Sequence, residues 1–375
     1  MKVLHFYRTY HPDTFGGIEQ VIRQLAVGTT RLGVSNEVLT LTRSKGQLEL
    51  ELEGHQVHRV RQNFEIASTG FSWQALSRFI ELANSADIIH YHFPWPFMDL
   101  MHLIGRIRKP SIVTYHSDIV RQKFLHKVYE PLKNWFLNDV DRIVATSPNY
   151  LSTSPILHRY RDKTEVITYG LDKNIYPEAS PAVVAQWRQR FGERFFLFVG
   201  MLRYYKGLHI LLEAVADSDM PVVIVGNGPE EQALKQHAQE LKLTNVHFLG
   251  ALPEEDKIAL LSLCYGLVFP SHLRSEAFGI SLLEGAMFAK PMISSEIGTG
   301  TSYINIADET GLVVPPDDPL ALRAAMTQLW HNPRQAMQMG RLAQQRYESV
   351  FTADLMARNY VRLYVDVISG NTTMP

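Results

Sequence analysis

The chain has 375 residues, of which 46% are hydrophobic and 20% charged, and its formal net charge is −1. That length suits two domains with full cores, the composition excludes a fibre or a disordered chain, and the near-zero charge gives no general case for nucleic acid. Cations lean slightly toward residues 1–172, as do ten of the 15 histidines, which permits an anionic partner there without requiring one.

In chain order, Lys2 to Phe6 reads as a strand whose apolar run is broken by His5 and Arg8, a poor signal peptide. Phe15-Gly16-Gly17 and an amphipathic helix from Ile18 follow; glycines there let backbone approach a phosphate or sugar, or serve only a tight turn. Strands are expected at Asn36 to Thr42, Gln56 to Val60, Ala86 to Tyr91, Ser111 to Tyr115, Arg142 to Thr146 and Glu165 to Thr168. Helical patterns alternate with them, implying a parallel sheet with helices on both faces, where ligands bind beyond the strand ends.

Three strand-end stretches stand out in this half. After Tyr115 come His116, Ser117 and Asp118, placed to donate to a sugar hydroxyl and orient its ring, although a histidine there is more often structural. The run Tyr91-His92-Phe-Pro-Trp-Pro-Phe97 offers aromatics for sugar stacking, or equally for loop packing. From Val120, Arg121, Lys123, Lys127 and Lys133 interleave with Phe124, Tyr129, Trp135 and Phe136, a mixture that suits an anionic membrane surface or a diphosphate. The plainer reading is a helix with core aromatics and solvated lysines.

After a linker at Tyr169 to Pro177, a second series of strands begins at Phe195 to Gly200 and continues at Pro221 to Gly226, Val246 to Gly250, Gly266 to Pro270, Lys290 to Ser294 and Gly311 to Val314. Arg203 and Lys206 lie just ahead of a helix, placed to neutralise a diphosphate or simply solvated. Gly226-Asn-Gly228 opens like a dinucleotide fingerprint but has Glu231 where the third glycine belongs, which argues against NAD. Asp217-Ser-Asp219 precedes a strand and reads as a turn rather than a metal site, Gly298-Thr-Gly300 as a turn or a closing loop, and Cys264 as a buried thiol. No apolar run reaches the ~20 residues of a membrane span, so the chain reads as cytoplasmic. Thr352 to Ile368 is a last helix able to cap either half, with Asn371 to Pro375 a loose tail.

Ser275-Glu-Ala-Phe-Gly-Ile-Ser-Leu-Leu-Glu-Gly285 carries the most chemistry. Glu276 falls in a strand-to-helix loop, Glu284 on the second turn of the helix, and Gly279 near its start, where free amides and the helix dipole favour an anion. Each carboxylate can accept from a pair of adjacent hydroxyls, so two acids flanking an anion seat have the shape of a nucleotide-sugar site. Two solvated glutamates are the alternative.

This stretch resembles the Glu-x7-Glu motif of the family 4 retaining glycosyltransferases, whose GT-B fold has two Rossmann-like domains facing across a cleft. Gly16-Gly17, His116-Ser-Asp118, Lys206-Gly207 and Glu276 to Glu284 occur in the family's order, so the resemblance spans nearly the whole chain. It implies an acceptor-side domain at 1–172, a nucleotide-sugar domain at 173–351, and a helix within 352–375 that crosses back to the first. It further implies that His116 and Glu276 hold the sugar, Arg203 and Lys206 the diphosphate and Glu284 the ribose. Gly16, Gly17, Phe278, Gly279 and Ile280 would border the donor, and His92, Asp118, Arg121 and Lys123 would lie on the acceptor side. The chemistry implied is transfer with retention, the departing β-phosphate helping to deprotonate the acceptor, with no metal or other cofactor required. One departure is Met201, which stands where the family usually has arginine.

Thr114 to Lys123 and Leu202 to Glu213 resemble bacterial mannosyltransferases that build O-polysaccharides. GDP-mannose as donor, a polyprenyl-diphosphate-linked oligosaccharide as acceptor, and contact with the inner face of the cytoplasmic membrane are then expected. A UDP-sugar donor, a sugar-nucleotide epimerase of the same fold and a non-catalytic nucleotide-sugar-binding module stay open as alternatives.

Overall fold

The computed structural model describes residues 1–66, 69–118 and 123–370; the side chains of 123–127 are not described. Arg121, the Lys123 and Lys127 side chains and the tail 371–375 therefore lie outside the described residues. The chain divides into two compact units, Met1–Gly170 with Thr352–Pro375, and Leu171–Phe351.

The first unit contains strands β1 (Lys2–Phe6), β2 (Ser35–Thr42), β3 (Glu49–Leu52), β4 (His55–Arg61), β5 (Phe64–Ile66), β6 (Thr69–Phe71), β7 (Ile88–Phe93), β8 (Ser111–Tyr115), β9 (Arg142–Ala145) and β10 (Thr164–Val166). The sheet runs β10-β9-β8-β7-β1-β2-β4-β3, parallel except at β3, while β5 and β6 form a separate hairpin. β7 and β8 are buried along their whole length, as strands covered on both faces must be. β3, β5 and β6 are additions to the expected strands.

The helix Gly17–Thr30 buries Val21, Ile22, Leu25 and Ala26 at helical spacing and packs against the helix Ala353–Ile368. That last helix is capped by Thr352 and brings two buried hydroxyls to the sheet: Tyr364 meets His90 Nδ1 at 2.8 Å and Tyr360 meets Thr114 Oγ1 at 2.7 Å. Residues 353–368 thus complete the first unit although they follow the second in sequence.

The second unit contains β11 (Phe196–Val199), β12 (Val222–Val225), β13 (Val246–Gly250), β14 (Gly266–Phe269), β15 (Met292–Ser295) and β16 (Gly311–Val314), ordered β13-β12-β11-β14-β15-β16 and all parallel. Its core joins Phe196, Phe198, Val222, Ile224 and Val268 to Leu211, Leu212 and Met326 from the covering helices.

Both sheets share one logic. Counting parallel strands in chain order within each unit, the first six follow the doubly wound order 3-2-1-4-5-6, which reverses between β1 and β7 in the first unit and between β11 and β14 in the second. Ligands of such sheets bind beyond the carboxyl ends of the strands at that reversal. The loops after β11 and β14 are therefore the place to look in the second unit; they carry Arg203 and Lys206, and Glu276.

Candidate active site

The loop after β14 runs to the helix Ile280–Met287, whose N-cap is Gly279 with φ 103°, a left-handed conformation costly for other residues. Leu282 N donates to the Gly279 carbonyl at 2.9 Å, and the amides ahead of it stand at a helix start, where anions are favoured. Ser281 Oγ donates to the Val199 carbonyl at 2.7 Å, tying this helix start to the end of β11. The loop after β11 approaches equally closely: a Cβ at Gly207 would lie 2.0 Å from the Pro270 carbonyl oxygen, so only glycine lets the two loops meet.

Across this contact Lys206 pairs with Glu276, both 9% exposed, and the ammonium also lies 4.7 Å over the Phe269 ring. Burial, the largest single influence, would lower the lysine, but the charge and hydrogen bond of Glu276 together with Tyr205 outweigh it and hold the group above its ordinary value. Ser271 Oγ adds a long bond of 3.5 Å to the same carboxylate oxygen. Arg203 is exposed, and its Nε reaches Met201 Sδ at 3.0 Å, so the methionine at the family's arginine position supports the arginine two residues on.

Glu284, 5% exposed, also has a lysine: Lys257 Nζ donates to Oε1 at 2.8 Å, and the Tyr176 hydroxyl lies 3.3 Å from the same oxygen. Both glutamates of the motif are thus held by lysines, Lys206 buried and Lys257 partly so. Phe278 is buried and packs edge-on to Phe351, so only its backbone is available to a ligand. Gly300 N donates to the Ala277 carbonyl at 2.9 Å and Arg274 donates to the Gly298 carbonyl at 2.8 Å, closing the loop 298–300 onto 274–278.

Sequence reasoning missed Lys257, Tyr176 and His272. Lys257 comes from the helix Glu254–Leu263, on whose surface a lysine is ordinarily solvated, and nothing in its spacing points to Glu284. His272 bonds through its ring to Asp317 and to the Tyr204 carbonyl, and through its backbone N–H to the Tyr205 carbonyl, tying the 203–206 segment to the end of β14.

In the first unit Gly16 caps the helix Gly17–Thr30 at φ −90°, an ordinary conformation; a Cβ there would lie 2.4 Å from Glu19 Oε2. Its smallness lets the Glu19 carboxylate fold back to accept from the Thr9 and Thr14 hydroxyls at 2.8 and 2.9 Å. His116 is 2% exposed, and its ring nitrogens meet His92 and the Tyr169 hydroxyl. His92 is buried too, with both nitrogens engaged, so its ring lies inside the sheet and not at an open acceptor surface. Asp118 accepts from the Tyr115 and Ser154 hydroxyls at 3.0 and 2.9 Å, bracing its loop.

Burial decides two points the sequence left open and corrects a third, the basic face. Phe93, Trp95 and Phe97 are buried, so the aromatic run packs the loop instead of offering stacking faces. Lys133, expected on a basic face, is also buried; desolvation lowers its pKa, partly opposed by Glu130 and Asp118. Most of the histidine excess of this unit adds no standing positive charge, because burial lowers His5, His11, His55, His90, His92, His102 and His116; His58 is the exception, where Glu37 and Glu49 outweigh burial and raise it.

Comparison with known proteins agrees with this layout. The family described as "Glycosyl transferases group 1" matches residues 182–346, and "Glycosyltransferase Family 4" matches residues 15–174. The D-rhamnosyltransferase WbpZ of Pseudomonas aeruginosa is 60% identical over 353 residues, covering 94% of this chain and 93% of that protein. The O-antigen chain mannosyltransferase C of Escherichia coli is 52% identical over 372 residues, covering 99% and 100%. Among solved structures, sucrose-phosphate synthase from Thermosynechococcus elongatus aligns with a TM-score of 0.82 over 99% of this chain and all of that one, at 20% identity, a likeness of fold. With a doubly wound sheet in each unit and the paired glutamates at a strand reversal, the chain belongs to the family 4, group 1 glycosyltransferases of GT-B fold.

Proposed function

We propose that the chain is a retaining hexosyltransferase of O-antigen synthesis that takes mannose from GDP-mannose. The observation that carries this reading is the buried Lys206–Glu276 pair beside the open start of the helix Ile280–Met287. In that place a donor diphosphate would rest on the helix amides and draw on Lys206 and Arg203, while Glu276 accepts from sugar hydroxyls and Glu284 from the ribose. Charge develops on the diphosphate as the glycosidic bond breaks, and each preorganised donor aimed at it is worth about 3–4 kcal/mol. The β-phosphate then takes the proton of the acceptor hydroxyl on the same face of the sugar, which retains its configuration.

The relatives support a lipid-linked oligosaccharide acceptor, because one of them is an O-antigen chain mannosyltransferase. Among the described residues no helix is long and apolar enough to cross a membrane, so the reading places the chain peripherally, at the inner membrane face where such an acceptor is held. No metal is assigned a part.

A second reading, transfer of rhamnose, is favoured by the 60% identical rhamnosyltransferase. D-Rhamnose is mannose without its 6-hydroxyl, so the two donors differ in a single polar group. The test is transfer to a polyprenyl-diphosphate-linked acceptor from GDP-mannose, GDP-rhamnose and UDP-glucose, without added metal, with the product's anomeric configuration assigned. Transfer from GDP-mannose with retention is expected. Transfer from GDP-rhamnose alone would replace mannose, and use of UDP-glucose alone would reject both donors.

A further inference from the structure

Five side chains of the first unit form one hydrogen-bonded row across neighbouring strands. Asn36 Oδ1, on β2, meets His5 Nε2 at 3.2 Å; His5 Nδ1, on β1, meets His92 Nε2, on β7, at 3.1 Å. His92 Nδ1 meets His116 Nε2, just past β8, at 3.0 Å, and His116 Nδ1 meets the Tyr169 hydroxyl. All five residues are buried.

A neutral imidazole has one N–H and one bare nitrogen, so the bonds of such a row run in one direction, and either end decides which. The Asn36 end does so here. Its amide nitrogen faces the Ala26 and Val34 carbonyls at 3.1 and 3.4 Å, which can only accept, and its oxygen therefore faces His5. His5 must donate from Nε2 and is bare at Nδ1; His92 donates into that lone pair from Nε2 and is bare at Nδ1 in turn. The same step assigns His116 an Nε2 proton and a bare Nδ1, which receives the Tyr169 hydroxyl. Burial keeps the rings neutral, pushing His5 down to about 4 and His116 to about 3.

His5, His90 and His92 also approach closely enough to share a metal ion, but every ring nitrogen of the three already has a protein partner. Nor is the row a proton conduit, because an amide at its end neither takes up nor releases a proton. It orients.

We propose that Asn36, His5 and His92 are positioning residues that fix His116 as a hydrogen-bond acceptor, its one ring proton committed to His92. A ligand hydroxyl can engage that ring only by donating to Nδ1 in place of Tyr169. This reverses the sense expected from the sequence, in which a strand-end histidine donates to the sugar. The tautomers follow from the hydrogen bonds alone; their bearing on turnover rests on the glycosyl-transfer reading.

The test is nitrogen-15 NMR of the histidine-labelled full chain at pH 7, paired with transfer kinetics, on wild type, His5→Leu and His5→Gln. Wild type should show His5, His92 and His116 each protonated at Nε2 and bare at Nδ1. His5→Leu removes the lone pair that anchors His92, so His116 should shift wholly or partly to Nδ1 protonation, and kcat should fall roughly tenfold, the usual scale for an orienting partner. Glutamine offers both a donor and an acceptor and should restore the tautomer and most of the rate. A wild-type His116 protonated at Nδ1 or on both nitrogens would overturn the assignment even if His5→Leu fails to fold. A folded His5→Leu with an unchanged His116 tautomer, or with a changed tautomer and an unchanged rate, would overturn the positioning role. Absence of transfer by wild type would count against the glycosyl-transfer reading, while the spectra would still decide the tautomers.

Discussion

The two units share a strand order but differ in the polar groups that line their strand reversals. Across β1, β7 and β8 of the first, these are neutral rings and hydroxyls, the His5, His92 and His116 row and the His90 contacts with Tyr364 and Thr114, while its buried charges, Glu19, Arg59 and Lys133, lie on other elements. In the second, charged pairs lie at the strand reversal and on the helix that follows it: the buried pair Lys206 with Glu276, and buried Glu284 with the partly buried Lys257. Neutral groups need only hydrogen bonds to stay buried, whereas buried charges are costly unless matched, so a protein that retains them has them at hand for a charged ligand. The unit read as the diphosphate site is the one that sets paired charges at its strand reversal.

Acid should separate the two most sharply. An unfolded histidine binds a proton near pH 6.5, while folded His5 waits until about 4 and His116 until about 3. The unfolded state therefore holds more protons across that interval, and stability is intact above pH 6.5 and falls as pH drops. Each such ring should shift the unfolding equilibrium about tenfold per pH unit. Chemical denaturation followed from pH 7 to 4.5, above most carboxylate titration, should show the loss concentrated in the first unit; equal loss in both would break the comparison.

The next effect should come from Lys206→Ala. It strands a buried carboxylate, at a cost of about 3–5 kcal/mol, and takes away a cation proposed to meet the diphosphate. Glu276→Gln leaves the buried Lys206 without its carboxylate but with an amide oxygen that can still accept from it, so it should cost somewhat less stability while still impairing transfer; denaturant melts and kinetics together distinguish stability from chemistry. Glu284→Ala should be milder, because Lys257 keeps a second partner in Glu254 at 2.7 Å. Donor KM should rise roughly tenfold to a hundredfold, equivalent to about 1.5–3 kcal/mol for a charged hydrogen bond, with little change in melting. Smallest of all should be Tyr364→Phe, which removes one neutral bond to His90 at a cost of about 1 kcal/mol, read as a Tm lower by a few degrees with donor KM unchanged.

The sequence made the repeated alternation of strands and helices plain, because β7, β8, β11 and β12 are apolar runs with turns at their ends. β3 was equally readable: Leu48-Glu-Leu-Glu-Leu-Glu53 alternates with period two, as a half-exposed edge strand does. β5 and β6 are three residues each and too short for any period to declare itself. In the site, the spacing of Glu276 and Glu284 is local and visible, while their lysines arrive from other elements, 70 and 27 residues away. The histidine row failed to show for the same reason. His5 and His92 lie on two different strands and His116 just past a third, and their order becomes visible only once β1, β7 and β8 lie side by side. The excess of histidines permitted an anionic partner, whereas burial keeps the rings of this row neutral.

The placement of the helix Ala353–Ile368 also bears on how the protein is made. Residues 171–351 form one unbroken stretch, so the second unit can close its core as soon as that stretch has left the ribosome. The first unit begins earlier yet finishes later. Until Tyr360 and Tyr364 emerge, His90 and Thr114 lack the hydroxyls that meet them in the finished sheet, and the apolar face of the helix Gly17–Thr30 has no neighbouring helix to cover it. The half synthesised first is therefore the half that must wait, open and in need of protection, for the last part of the chain to arrive.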